Sequence, residues 1–152
     1  YSMIARDIEA EILPYCGQQD IGVICYSPMG KGLLTGAFSA VRVAGLSAKD
    51  HRSRDPRFQS PQLEINLEFV AGLGRIAAGL GWTLPELSIA WVLRRPELTS
   101  AIVGSRRPDQ IAETVNAGDR VLDSVSIAAV ESAIQKRDAA LTRLGELDKA
   151  RV

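Results

Sequence analysis

The stretch of sequence that decides the fold is residues 21–32, which reads IGVICYSPMGKG. Its first six residues are mostly apolar, and they do not alternate with polar ones. Such a run is typical of a strand buried on both faces, as in parallel sheets covered by helices. Pro28 ends the strand because proline offers no amide hydrogen to a sheet. We therefore predict a buried parallel strand over residues 21–26, followed by a glycine-rich turn.

Helices and one more strand are predicted on either side of this stretch. Apolar residues at helical spacing predict a helix over 62–80: Leu63, Leu67, Val70, Leu73, Ala77 and Leu80. Further helices are predicted over 7–15, 87–95 and 109–116, and from about residue 124 to the C-terminus. The short apolar run 99–103 predicts a second buried strand. Buried strands that alternate with helices indicate an α/β fold with parallel strands.

Two segments predict a helix start and a long loop. Residues 83–86, TLPE, form a capping box that starts a helix. Residues 37–61 show no periodicity and are rich in Arg, Ser, Asp and Pro, so we predict a long exposed loop. A loop of this length in a compact domain is often a functional lid.

Composition narrows the possible functions. Lys plus Arg and Asp plus Glu both number 18, so the net charge is zero and nothing favours nucleic-acid binding. We expect no membrane span and no signal peptide, and we predict a cytoplasmic protein. Cys16 and Cys25 are interpreted as free thiols. With one histidine, His51, no metal site is expected.

The ends of the two predicted strands are candidate binding segments, because ligands of parallel α/β folds lie there. Residues 104–107, GSRR, lead into a helix whose free amides and paired arginines suit a phosphate. The alternative is that Pro108 simply starts a helix and both arginines are solvated. The glycines of 26–32 match no phosphate-loop spacing. They allow either close approach to a ligand or a flexible turn, and Tyr26 is either a stacking residue or a core aromatic.

Four stretches together resemble bacterial aldo-keto reductases. Residues 21–36, IGVICYSPMGKGLLTG, resemble that family's seventh strand and the loop after it. Residues 90–93, AWVL, and 99–111, TSAIVGSRRPDQI, resemble its last helix–strand–helix passage, and residues 1–6, YSMIAR, the end of its sixth strand. The resemblance implies the C-terminal part of a (β/α)8 TIM barrel, from the end of strand six through helix eight. Residues 1–152 would be one half-barrel, with the loop at 37–61 and a helical extension at 124–152.

The resemblance also implies a cofactor, NADP(H), and the residues that bind it. Tyr26 would stack on the nicotinamide. The pyrophosphate would lie along the following turn, at Ser27, Pro28, Met29, Gly30, Lys31 and Gly32. The 2′-phosphate, ribose and adenine would be bound by Gly104, Ser105, Arg106, Gln110, Glu113 and Thr114. Arg106 would set the preference for NADP over NAD, although many relatives have lysine at position 104 and arginine at position 110.

The resemblance gives the whole family protein an activity that this chain would only partly support. That protein would reduce aldehydes or ketones with NADPH, using an Asp, Tyr, Lys and His tetrad from the first four strands. No residues here match the tetrad, so we predict no catalytic residues and an inactive chain that needs the N-terminal half of the barrel. The alternative is a non-catalytic nucleotide-binding module, or a split-barrel half that pairs with another chain.

Overall fold

A computed structural model of the chain describes residues 1–105 and 107–149. Its helices and strands follow in the order α1 (Ile12–Gln18), β1 (Val23–Tyr26), α2 (Ala40–Ala44), α3 (Gln62–Gly79), α4 (Leu84–Leu93), β2 (Leu98–Ile102), α5 (Pro108–Val115) and α6 (Ser124–Lys149). Short 3-10 turns precede α1, follow β1, lie between α2 and α3, and follow α5. The predicted mixture of helices and strands is therefore confirmed.

The two strands form a parallel pair. Val23 lies opposite Leu98, and Tyr26 lies opposite Ile102 at the carboxyl end. The chain passes from β1 to β2 through α3 and α4, as a parallel connection requires. Because the strands run in the same direction, the segments after Tyr26 and after Ile102 begin side by side at one edge of the sheet.

The prediction that β1 is buried on both faces is wrong. Cys25 is buried, whereas the neighbouring Ile24 and Tyr26 are 63% and 73% exposed, and Ile102 on β2 is 59% exposed. The reason is that the core contacts only one face of the pair, and no described residue covers these side chains on the other. The apolar run in the sequence therefore corresponds to one covered and one open face.

The core lies around α4. Every residue of this helix from Pro85 to Val92 is buried, with Trp91 fully enclosed. Leu73 of α3 and Val130 and Ile134 of α6 belong to the same cluster. The predicted capping box is confirmed, because the Thr83 hydroxyl accepts from the Glu86 amide and the Glu86 carboxylate accepts from the Thr83 amide.

Two other parts of the prediction differ from the structure. The helix predicted over 7–15 is a 3-10 turn at Asp7–Glu9 followed by α1, which continues past Gly17 to Gln18. Residues 37–61, predicted as irregular, contain α2 and two 3-10 turns. The side chains of Ser39, Asp50 and Asp55 each accept an amide hydrogen bond that starts one of these turns.

No single helix among the described residues has the length and apolar composition that crossing a membrane requires. Within the same part of the chain, α3 and α4 pass that test only as a pair, and they are bent by 89° relative to each other.

Candidate functional site

The turn after β1 is shaped by left-handed backbone conformations. Ser27, Gly30, Lys31 and Gly32 all have positive φ, from 55° to 90°. Glycine is favoured at position 30, because φ is 55° there and an added Cβ would lie 2.7 Å from Cδ1 of Ile4, whose side chain would have to move. The turn is thus packed against the N-terminal segment, which sets the direction of the residues that follow Tyr26.

A cleft of about 210 Å³ opens at this strand end. It is lined by residues from the N-terminal segment, the strand-end turn and the 37–61 segment: Tyr1, Ser2, Ala5, Tyr26, Ser27, Gly30, Lys31 and Arg57. Four of the predicted cofactor residues therefore lie around one cavity. Pro28 is buried and Met29 is half-buried beside them, and neither they nor Gly32 line the cleft.

A buried carboxylate holds two cations at the lip of the cleft. Asp55 is 7% exposed, and its Oδ2 atom lies 2.8 Å from Nζ of Lys31 and 2.6 Å from Nη2 of Arg57. Nε of Arg57 donates to Oδ1 at 2.9 Å, which makes that pair bidentate. The ion pairs attach the 37–61 segment to the strand-end turn and fix the guanidinium beside the ammonium group.

The sequence analysis missed Arg57 and Asp55. A signal was present, because the spacing Asp-x-Arg occurs twice, at 50–52 and 55–57, each time at the start of a 3-10 turn. Both arginines make the same bidentate contact with their aspartate, but only Arg57 lines the cleft. The spacing predicts the ion pair, whereas the position over the cleft depends on the fold.

Stability should depend on pH through Asp55. Hydrogen bonds from Arg57, followed by the one from Lys31, hold the pKa of Asp55 well below its usual range. A carboxyl group whose pKa is lowered in the folded state stabilises the protein at pH values above its unfolded pKa of about 3.9. This contribution to stability is lost as the pH falls through the folded-state pKa. We expect Asp55→Asn to lower the free energy of unfolding at pH 7, and the difference from wild type to shrink below about pH 4. Urea unfolding at several pH values tests this; a pH-independent difference would contradict it.

The described residues on either side of position 106, after β2, are open to solvent. Gly104 and Ser105 are exposed, and Ser105 donates through its hydroxyl to the carbonyl of Arg107 at 2.9 Å. Arg106, the residue predicted to select the 2′-phosphate, lies outside the described residues. Arg107 is paired with the exposed Asp109 at 2.9 Å. That contact supports the solvated interpretation for Arg107.

The remaining predicted residues lie on α5. The Gln110 side chain accepts from the Arg107 amide at 3.2 Å and so caps the helix. The Thr114 hydroxyl donates to the Gln110 carbonyl at 2.9 Å, and Glu113 is exposed. No described contact joins Glu113 or Thr114 to the cleft. The two strand ends are adjacent, and the cleft lies at the first of them.

These features define a parallel α/β protein with a cationic cleft at the carboxyl end of a strand. The family model described as the aldo/keto reductase family matches residues 1–135. The chain therefore belongs to the aldo/keto reductase family, and the suspected resemblance is confirmed.

Similar curated proteins have related but different descriptions. A probable voltage-gated potassium channel subunit beta from Arabidopsis thaliana is 32% identical over 90% of the chain. The NADP(+) aldo-keto reductase yakc of Schizosaccharomyces pombe is 29% identical over 88% of it. The NADH-specific methylglyoxal reductase of Escherichia coli is 32% identical over 77%. One of these names specifies NADP and another NADH.

A solved structure supports the fold. The glycerol dehydrogenase from Gluconobacter oxydans matches 90% of the chain with a TM-score of 0.82 and 28% sequence identity. The match covers 41% of that protein, and the three curated relatives are covered over 43%, 39% and 35% of their lengths. The chain thus spans about two fifths of the relatives it matches.

Proposed function

We propose that this chain is the C-terminal, cofactor-binding half of an NADP(H)-dependent aldo-keto reductase barrel. The observation that carries the proposal is the cleft after β1, where Lys31 and Arg57 meet beside the predicted residues Tyr26 and Ser27. Two neighbouring cations at the end of a strand suit the pyrophosphate of a dinucleotide. Membership of an oxidoreductase family, with relatives named for both nicotinamide cofactors, supports the same assignment.

The donors around the cleft fit such a group. Lys31 and Arg57 supply positive charge, and the hydroxyl of Ser27 can donate to a phosphate oxygen. The Tyr26 ring is exposed and can stack on a planar ligand. Since pockets for small molecules measure about 300–1,000 Å³, a cleft of 210 Å³ would hold only part of the dinucleotide. The pyrophosphate and the adjoining nicotinamide are the parts we place there.

The remaining part of the site would come from the missing half of the barrel. The open face of the sheet, with Ile24, Tyr26 and Ile102, is the face that a closed barrel would turn inward. Tyr1 lies beside the end of β1, with its amino nitrogen 3.1 Å from the Tyr26 carbonyl oxygen. This supports our assignment of residues 1–6 to the end of a neighbouring strand. We place the complete protein in the cytoplasm.

In the complete protein, the bound cofactor would supply a hydride to an aldehyde or ketone. The residues of this chain would bind and orient: Lys31 and Arg57 at the pyrophosphate, Tyr26 against the ring, and Gly104, Ser105 and Arg106 at the adenosine end. The proton for the alcohol product would come from a tyrosine of the other half acting as general acid. Arg106 would favour NADP over NAD, because a dianionic phosphate rewards a guanidinium.

A titration and an activity assay test the proposal together. We expect the purified chain to bind NADPH saturably, measured by nicotinamide fluorescence, and to leave NADPH unoxidised when aldehydes or ketones are added. The reason is that binding needs the cations of this half, whereas protonation needs the other half. Failure to bind NADPH would contradict the proposed role in cofactor binding. Turnover of a carbonyl compound would contradict the proposal that the proton donor belongs to the other half of the barrel.

A further inference from the structure

A second cavity lies between α3 and α6, away from the strand ends. It has a volume of about 450 Å³, is open to solvent, and shares no lining residue with the cleft after β1. Its floor is largely apolar and includes Ile65, Phe69 and Ile76 of α3 and Ala133 of α6, together with the buried side chain of Arg137. We call this cavity the α3–α6 groove.

The rim of the groove is strongly basic. Arg75, Lys136 and Arg143 all line it, together with Glu68 as an acidic residue. Among the residues that the structure describes, none of the three cations makes an ion pair or a hydrogen bond through its side chain. Most other arginines of the described chain are paired with carboxylates, as at Arg57, Arg94 and Arg120. An apolar floor under unpaired cations is complementary to a ligand that has an apolar body and an anionic group.

The dimensions restrict the shape of that ligand. The lining residues run from Ile65 to Ile76 on α3, which is about 16 Å at the rise of a helix. A single linear alkyl chain fits within this length and volume, because the groove is several times longer than the spacing of about 4 Å at which carbon atoms pack.

We propose that the α3–α6 groove binds a small amphipathic anion, with a linear apolar chain on the floor and a carboxylate or phosphate at the basic rim. Gly72 contributes to the available space. It lies in the lining of the groove, and an added Cβ there would meet only Nη2 of Arg75, at 3.8 Å. Glycine inside a helix is unfavourable relative to alanine, and here it leaves the floor of the groove open.

Octanoate is a suitable probe, and 1-octanol is its uncharged match. Alanine methyl groups labelled with carbon-13 report binding by nuclear magnetic resonance, since Ala129, Ala133 and Ala140 line the groove. We expect octanoate to shift these signals saturably and to bind at least about fivefold more tightly than octanol, because the rim cations act only on the anion. Absence of saturable octanoate binding, equal binding of both probes, or shifts confined to alanines outside the groove would overturn the proposal.

Variants separate the two parts of the site. Replacing Arg75, Lys136 and Arg143 together by glutamine should weaken octanoate at least about fivefold and leave octanol unchanged. Lys49→Gln is the matched control, because Lys49 is an exposed cation without an ion pair that lies outside the groove. Gly72→Leu should abolish binding of both probes by filling the floor, and its higher helix propensity preserves α3. Unchanged octanoate affinity in either groove variant would overturn the assignment.

Discussion

Replacing Asn66 by leucine should lower the free energy of unfolding by about 3 kcal/mol, measured by urea denaturation at pH 7. Asn66 is completely buried on α3, and its Oδ1 atom accepts a hydrogen bond from Nε of Arg137 at 2.7 Å. Its amide donates to the carbonyl of Arg57 at 2.9 Å. Leucine has a similar size but removes both bonds, which leaves the buried guanidinium of Arg137 and the Arg57 carbonyl short of partners.

The loss should come mainly from the guanidinium of Arg137, which loses the acceptor of its Nε atom and keeps its ion pair with the exposed Asp138, at 2.9 Å. Arg137 is 8% exposed, and burial lowers the pKa of its guanidinium. We therefore expect the double variant Asn66→Leu, Arg137→Met to recover much of the stability, as apolar pairs replace buried ionic ones in other proteins. Gln135→Leu on the exposed side of α6 is the control and should change stability by less than about 0.5 kcal/mol. A loss below about 1 kcal/mol for the single variant, or no recovery in the double variant, would contradict this account.

Asn66 also shows why sequence analysis reaches part of this fold and not the rest. The helical spacing of Leu63, Leu67 and Val70 predicts helix α3, and its predicted bounds agree with the structure within one residue at the C-terminus. That analysis uses only apolar positions. It cannot predict a buried asparagine, because the burial of Asn66 depends on a hydrogen bond from Arg137 of α6. Arg137 lies 71 residues further along the chain.

The strands illustrate a second limit. Short apolar runs and the glycines and prolines after them are sufficient to predict two parallel strands, and both are present. Whether a strand has one or two covered faces depends on what packs against it. Ile24 and Ile102 are exposed because the described chain supplies helices for one face only. The apolar composition of a strand predicts that its faces tend to be buried. Which helix or sheet buries each face depends on the tertiary structure.

The candidate site likewise contains residues that the sequence predicts and residues that it does not. The residues after Tyr26 can be predicted because they are consecutive, and consecutive residues at a strand end stay together in any fold of this class. Arg57 is 26 positions beyond Lys31 along the chain and reaches the cleft through Asp55. The position of Arg57 beside the cleft depends on the path of the 37–61 segment. No periodicity in the sequence of that segment predicts this path.

Replacing Arg57 by alanine should weaken binding of NADPH by about tenfold to a hundredfold, since a hydrogen bond to a charged group contributes about 1.5–3 kcal/mol. The prediction rests on the proposed function. Arg57 lines the cleft with Lys31 and Ser27, and Asp55 fixes its guanidinium there. Fluorescence titration of the purified chain measures the effect, and urea unfolding verifies that the variant remains folded.

The chain provides a matched control for this substitution. Arg52 makes the same bidentate contact with Asp50, at 2.9 Å and 2.5 Å, but does not line the cleft. Arg52→Ala should therefore leave NADPH affinity within about twofold of wild type, well under the effect of a lost charged hydrogen bond. Equal losses in the Arg52 and Arg57 variants would show that the effect is structural and would contradict a direct contact with the cofactor.

The two nicotinamide cofactors locate the contact further. NADPH and NADH share the pyrophosphate and differ at the 2′-phosphate, so Arg57→Ala should weaken both by the same factor. Arg106→Ala should weaken NADPH more than NADH, because only NADPH carries the group that this arginine would bind. If Arg57→Ala affected NADPH alone, the cleft after β1 would be nearer the adenosine end than we propose, and Tyr26 could no longer be placed at the nicotinamide.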